Sequence, residues 1–245
     1  MSKKPVIWAH RGASGYAPEN TLMSFQKAID MKADGIELDI QMTKDGQIVV
    51  IHDEMIDRTS NGKGWVKDYT FEELRKLDFN QQFPELGLTQ IPTMREVFEL
   101  IKPTNLVIDI EIKTGIVFYP IEEAILALTK EYGMEERVIY SSFNHLTMKK
   151  LHELDPLTKV GFLYADGTID MPEYGKKHGA NALHPALYNV QYDHFMEKCR
   201  EYGLAVNVWT VNTEEFVQLC LQFGVDAVIT NYPDMARRVI ENSNI

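Results

Sequence analysis

The stretch GIELDIQMTKDGQIVVIHD, residues 35–53, sets two carboxylates into an apolar strand and ends on a His–Asp pair. Successive side chains of a strand point to opposite faces. Ile36, Leu38 and Ile40 therefore share one face, and Glu37 and Asp39 the other. Asp45-Gly46 favours a tight reversal, so QIVVIH (47–52) is expected to return as the hairpin partner of the second strand. LVIDIEIK (106–113) repeats the pattern, aligning Asp109, Glu111 and Lys113 opposite Ile108, Ile110 and Ile112. In a barrel the apolar set packs against surrounding helices, and the charged set points inward near one mouth. Two strands then deliver acidic groups to one cavity.

The remaining candidate strands are 5–10, 137–143, 159–164, 181–186, 204–211 and 226–230. Helix-like segments alternate with them. Asn20 is expected to cap the first helix, and Thr70/Glu73, Thr93/Glu96 and Asn212/Glu215 each fit a capping box. Pro120 fits a helix first turn, and Gly133 and Gly203 fit helix exits. Eight β/α units in 245 residues predict an α/β fold, a TIM (β/α)8 barrel forming one catalytic domain over 1–245. Residues 54–91, after the second strand and its hairpin return, read as a small insertion packed over one mouth. An open doubly wound sheet is the competing arrangement. No GxGxxG or GxxxxGK[ST] follows a strand, which weakens its nucleotide-binding versions.

Composition narrows the function. Hydrophobic residues make up 44% of the chain, enough for a sizeable core. A net charge of −11 argues against a nucleic-acid partner. Cys199 and Cys220 have no metal-binding spacing and read as reduced thiols. No run approaches the about 20 apolar residues of a membrane span. The expectation is a cytoplasmic protein without integral membrane association, monomer or dimer.

Carboxylates crowded in a poorly hydrated cavity need a cation, a proton or strong hydrogen bonds. Glu37, Asp39 and Glu111 make a set for one divalent metal ion, Mg²⁺ or Ca²⁺. Lys113 either neutralises the remaining charge or contacts an anionic substrate. Asp109 sits deeper and organises its neighbours. His10 and His52 each follow a strand beside a charged residue, Arg11 and Asp53, and suit proton transfer. Arg11 suits a phosphate grip. His184 ends a strand and is a candidate pocket residue; the other histidines read as packing or surface groups.

HRGASGYAPENT (10–21), GIELDIQMTKDG (35–46), VVIHD (49–53), DIEIK (109–113), SSF (141–143), VWTVN (208–212) and VDAVITNYPD (225–234) together resemble the glycerophosphodiester phosphodiesterases, in that family's order along nearly the whole chain. The resemblance implies a TIM barrel that splits a small-molecule glycerophosphodiester into glycerol 3-phosphate and an alcohol. It implies a metal held at Glu37, Asp39 and Glu111, an acid/base pair at His10 and His52, and phosphate contacts at Arg11 and Lys113. Glu19 and Asn20 would organise the mouth beside His10, and Trp209 would form a substrate wall. Asn231 departs from the family's usual aspartate, which removes a charge near the last strand. The rival readings are a related phospholipase or lysophospholipase-D-like enzyme, a sugar hydrolase, and a catalytically silent barrel acting as a binding protein.

Overall fold

The alternation of apolar and charged residues resolves into a closed ring of strands in the computed structural model, which describes residues 4–114 and 120–243. The described strands are β1 (Val6–His10), β2 (Gly35–Met42), β3 (Ile48–Val50), β4 (Val107–Ile112), β5 (Val138–Ser142), β6 (Val160–Tyr164), β7 (Ala182–Pro185), β8 (Ala205–Val208) and β9 (Ala227–Thr230). Eight run parallel in chain order, and β1 pairs with both β2 and β9, which closes the barrel. β3 stands outside it, antiparallel to β2 from Ile40↔Val50 to Met42↔Ile48. The described α-helices are α1 (Leu22–Asp30), α2 (Phe71–Leu74), α3 (Met94–Ile101), α4 (Ile121–Tyr132), α5 (His145–Leu154), α6 (Met171–Lys177), α7 (Phe195–Tyr202), α8 (Glu214–Phe223) and α9 (Pro233–Asn242).

The outward strand faces meet these helices. Ile36, Leu38, Ile40, Ile108, Ile110 and Ile112 are fully buried in one core with Phe25, Met94, Phe98 and Ile125. Inside the ring, Trp8, Ala227 and Ile229 pack with Val6, Val107 and Ile139 as an apolar plug. Polar groups share the barrel interior with this plug: Glu37, Asp39, Asp109, Glu111, Ser141, His184 and Asn207 are all buried. Between β3 and α3 a second cluster unites Val49, Ile51, Ile56, Val66, Leu74, Phe79 and Ile91.

Two helix caps differ from the sequence expectation. Thr21, not Asn20, caps α1, in a capping box with Ser24. Asn20 lies in the left-handed region at φ 57°, which turns its amide toward Asp39 instead. Thr213, not Asn212, caps α8, because Asn212 Oδ1 accepts from the Asn231 backbone N–H. The Thr70 and Thr93 boxes are present, and Gly133 and Gly203 take left-handed exits from α4 and α7. Pro120 stands one residue before α4, at its N-cap.

Gly161 on β6 lies against the His184 ring, and a Cβ there would collide with the imidazole. Gly161→Ala is expected to lose about 1–3 kcal/mol in urea unfolding, the usual cost of overpacking a core. Leu157→Ala, at a position 90% exposed, is expected to stay within about 0.5 kcal/mol of the parent. Equal stability of the two variants would place the His184 ring elsewhere.

Candidate active site

The end of β1 turns sharply. Arg11 has φ 55° and Gly12 φ 79°, and a Cβ on Gly12 would overlap Ser24. This turn aims the Arg11 backbone N–H at Glu37 Oε2, 3.0 Å away. The guanidinium reaches Glu19 (Nη1 to Oε1, 3.0 Å) and lies beside Asp39 (Nε to Oδ2, 3.4 Å). Asn20 donates to the same Asp39 oxygen at 2.8 Å. Register places Glu37 beside Asp109, Asp39 beside Glu111, and Glu111 beside Ser141 across β2, β4 and β5.

Ligand oxygens of Glu37, Asp39 and Glu111 all fall within 4.8 Å of one another, and all three side chains are buried. Lys113 donates to Glu111 Oε1 at 2.7 Å and lies 3.8 Å from Asp39. Buried Asp39 Oδ1 has no hydrogen-bond partner. The electrostatics are uneven. Burial raises all three carboxyls, but at Asp39 the neighbouring Arg11, His52 and Lys113, with the Asn20 hydrogen bond, outweigh it and hold the group below the usual range. Burial, then Asp39 and Glu111, push Glu37 well above the ordinary carboxylate value. Burial and Asp39 push Glu111 up to about 7 against the pull of Lys113. Three hard oxygen donors, one of them unpaired, fit a divalent cation such as Mg²⁺ or Ca²⁺.

The hairpin brings the second histidine back to this cluster. The Ile51 N–H donates to the Asp39 carbonyl at 2.9 Å, and Gln41 holds the His52 carbonyl at 3.0 Å. His52 Nδ1 bonds Asp53 at 2.6 Å, and its Nε2 accepts from Lys113 at 3.2 Å. His10 Nδ1 bonds Asn231 Oδ1 at 2.6 Å, while Nε2 lies 3.9 Å from Glu37. Burial, reinforced by Arg11, lowers His10 to about 4. A cavity of about 80 Å³ opens between the two rings, with Glu37, Glu111, Phe143 and Trp209 on its walls. Phe143 meets Trp209 edge to face, with ring centres 5.5 Å apart.

The structure thus gathers His10, Arg11, Glu37, Asp39, His52, Glu111, Lys113 and Trp209 in one place. Glu19, Asn20 and Asp53 stand behind them as hydrogen-bond partners. His184 lies deeper. It is fully buried, with Nε2 accepting from Asn207 at 3.0 Å and Nδ1 3.2 Å from Asp109 Oδ2. Sequence reading missed Arg58. It grips Glu19 with two bonds, at 2.9 and 2.7 Å, and Asp53 through Nε at 2.7 Å. The available signal was a lone arginine five residues after Asp53. Sequence reading noted Asn231 only as a lost charge; the structure shows that the amide oxygen still anchors His10.

Among the described residues no helix is long and apolar enough to cross a membrane. The profile of the glycerophosphoryl diester phosphodiesterase family matches residues 10–235. A glycerophosphodiester phosphodiesterase of Caldanaerobacter subterraneus is 45% identical to the chain, covering 94% of it and 96% of the relative. Another from Bacillus altitudinis is 39% identical, covering 96% and 98%. Among solved structures, a phosphodiesterase of Oleispira antarctica in complex with the product sn-glycerol-3-phosphate superposes with a TM-score of 0.84, at 27% identity and 97% coverage of both chains.

Arg58 ties the segment after β3 to the mouth through Glu19 and Asp53. Arg58→Met is expected to speed amide hydrogen exchange in residues 54–64 while exchange in β4 stays at the parent rate. Identical exchange across 54–64 would mean that this ion-pair bridge does not hold the segment.

Proposed function

Because the chain belongs to the glycerophosphoryl diester phosphodiesterase family, and so hydrolyses glycerophosphodiesters, we propose that it does so with one divalent cation at Glu37, Asp39 and Glu111 and with His10 and His52 as proton carriers. The observation that supports this reading is the convergence of three buried carboxylates, two imidazoles and two cations on one cavity. A cation held by these three carboxylates would supply Lewis-acid polarisation and charge neutralisation. Arg11 and Lys113 hold the phosphoryl group and stabilise negative charge as it shifts toward the leaving oxygen. They also offset two of the three carboxylate charges.

His10 is neutral at working pH because burial and Arg11 disfavour its cation. With Nδ1 fixed on Asn231, its Nε2 is free to take the nucleophile's proton. His10 is accordingly the base, and His52, held by Asp53, is the acid once Lys113 has left its Nε2 for the phosphoryl group and that nitrogen carries the proton given to the departing alcohol. Trp209 and Phe143 exclude water from the apolar side of the substrate. Residues 54–91 form an insertion that steadies the opening through Arg58. The products are glycerol 3-phosphate and a small alcohol such as choline or ethanolamine.

Release of glycerol 3-phosphate from glycerophosphocholine is expected to require a divalent ion. In His10→Ala and His52→Ala, kcat is expected to fall by about 10²–10⁴-fold, the range for losing a positioned acid or base. Glu111→Ala is expected to lose cation binding as well. Near-parental turnover in folded His10→Ala or His52→Ala contradicts the assignment.

Cation binding is also expected to depend on pH with a defined sign. Glu111 is raised to about 7 and Glu37 is raised well above its ordinary value. Both must give up protons before they can ligate. Affinity for Mg²⁺ or Ca²⁺ therefore rises as pH climbs through the neutral range, and binding at the acid end releases protons. Calorimetric titration in buffers of different ionisation enthalpy reads both effects. An affinity independent of pH argues that Glu37 and Glu111 are not ligands.

A further inference from the structure

Arg58 lies behind the catalytic cavity rather than on its wall. It sits in a turn of the segment after β3, and the base of that turn is fixed. Ile56 is fully buried in the second core cluster, and the Ser60 hydroxyl donates to the Ile56 carbonyl at 2.8 Å. From there the guanidinium spans two carboxylates. Nη1 and Nη2 donate to the two oxygens of Glu19, at 2.9 and 2.7 Å. Nε donates to Asp53 Oδ2 at 2.7 Å, and Nη2 to Asp53 Oδ1 at 3.2 Å. Glu19 is a firm anchor. Its side chain is only 8% exposed, and Arg11 Nη1 and Gln82 Nε2 each donate to it at 3.0 Å.

Asp53 is the weaker end of the bridge. Its side chain is 30% exposed, so water competes for its carboxylate. Adjacent side chains of an extended strand point to opposite faces. Residues 52–54 bend instead, which lets Asp53 Oδ1 reach His52 Nδ1 at 2.6 Å. The His52 bond and Arg58 together hold Asp53 below the usual carboxylate range, so it stays an acceptor. A planar guanidinium fixes the orientation of a carboxylate as well as its charge. We propose that Arg58 is the positioning residue for the leaving-group acid: by tying Asp53 to Glu19 it holds the His52 ring with Nδ1–H on the carboxylate and Nε2 toward the departing oxygen. This inference rests on the phosphodiesterase reading above and brings a residue of the 54–91 segment into the reaction. In the step it serves, the phosphorus–oxygen bond to the alcohol breaks and the oxygen keeps the electron pair. That oxygen takes the proton of His52 Nε2, while the attacking oxygen bonds phosphorus and its proton passes to His10. An imidazole free to turn or to change tautomer does not meet the departing oxygen; a fixed carboxylate on Nδ1 prevents both.

The test compares two diesters of glycerol 3-phosphate that differ in their need for an acid. Choline leaves only with a proton; p-nitrophenol leaves as the stable phenolate and needs none. Arg58→Met is expected to lower kcat on glycerophosphocholine about tenfold or more, part of the about 10²–10⁴-fold that a positioned acid contributes. On the p-nitrophenyl diester its kcat is expected to stay within threefold of the parent. His52→Ala is expected to show the same bias more strongly. Circular dichroism checks that each variant is folded. If Arg58→Met does not fold, Arg58→Lys decides, because it keeps the charge but lacks the fork that spans both carboxylates; the same bias is expected. Equal losses on the two diesters in the folded Arg58 variant, or no loss on either, overturn the positioning role. If His52→Ala itself loses equally on both diesters, His52 is not the leaving-group acid, and the acid assignment falls together with the role of Arg58.

Discussion

Repulsion among Glu37, Asp39 and Glu111 is the constraint that the rest of the site is arranged around. Two like charges about 4 Å apart repel by roughly 4 kcal/mol even at an effective dielectric of 20. Whole domains are stable by only about 5–15 kcal/mol. Three buried acids within 4.8 Å therefore cannot all remain charged without compensation. The chain supplies part of it locally. Arg11 and Lys113 approach Asp39 from two sides, and Asn20 adds a hydrogen bond. Those groups keep Asp39 ionised, while Glu37 and Glu111 are left with raised affinity for protons. That asymmetry is the signature of a cluster built for a further cation.

Backbone strain is accepted to reach this arrangement. A non-glycine residue at positive φ is disfavoured by sterics, yet Arg11 and Asn20 both adopt it. At Arg11 the conformation sends the N–H to Glu37 and the guanidinium between Glu19 and Asp39. At Asn20 it frees the side chain from helix capping, a task that passes to Thr21. The cost of two strained residues is met by charge-assisted bonds in a buried setting, where such bonds are stronger than in water.

Much of this was legible before any coordinates. Period-two alternation in 35–40 and 106–112 separated the helix-facing isoleucines from the inward acids, because strand geometry leaves only two faces. The Asp-Gly reversal signalled β3 for the same local reason. What escaped reading depended on partners distant in sequence. Nothing near Arg58 says that it will meet Glu19, 39 residues away. Asn231 gave a departure from a pattern but not its consequence, since its partner His10 lies 221 residues earlier. The α1 and α8 caps were misplaced by one residue because neighbouring Asn and Thr are both good caps. Tertiary demand on Asn20 and Asn212 made the choice.

The hairpin explains how one short stretch can supply so much of the site. β2 carries Glu37 and Asp39 up the barrel wall and then overshoots the ring to Met42. A chain continuing directly into a crossover helix would leave that edge open. Instead β3 folds back along β2, and the Ile51 N–H bonds the carbonyl of Asp39 itself. The next side chain, His52, is thereby fixed relative to a member of the carboxylate triad by backbone hydrogen bonds. Lys113, on the far neighbour of β2, closes the arrangement by touching both His52 and Glu111. Parallel strands fix the acids with respect to one another, and the antiparallel return fixes the imidazole with respect to the acids. Neither geometry alone would place a proton carrier beside a cluster that a parallel barrel otherwise surrounds.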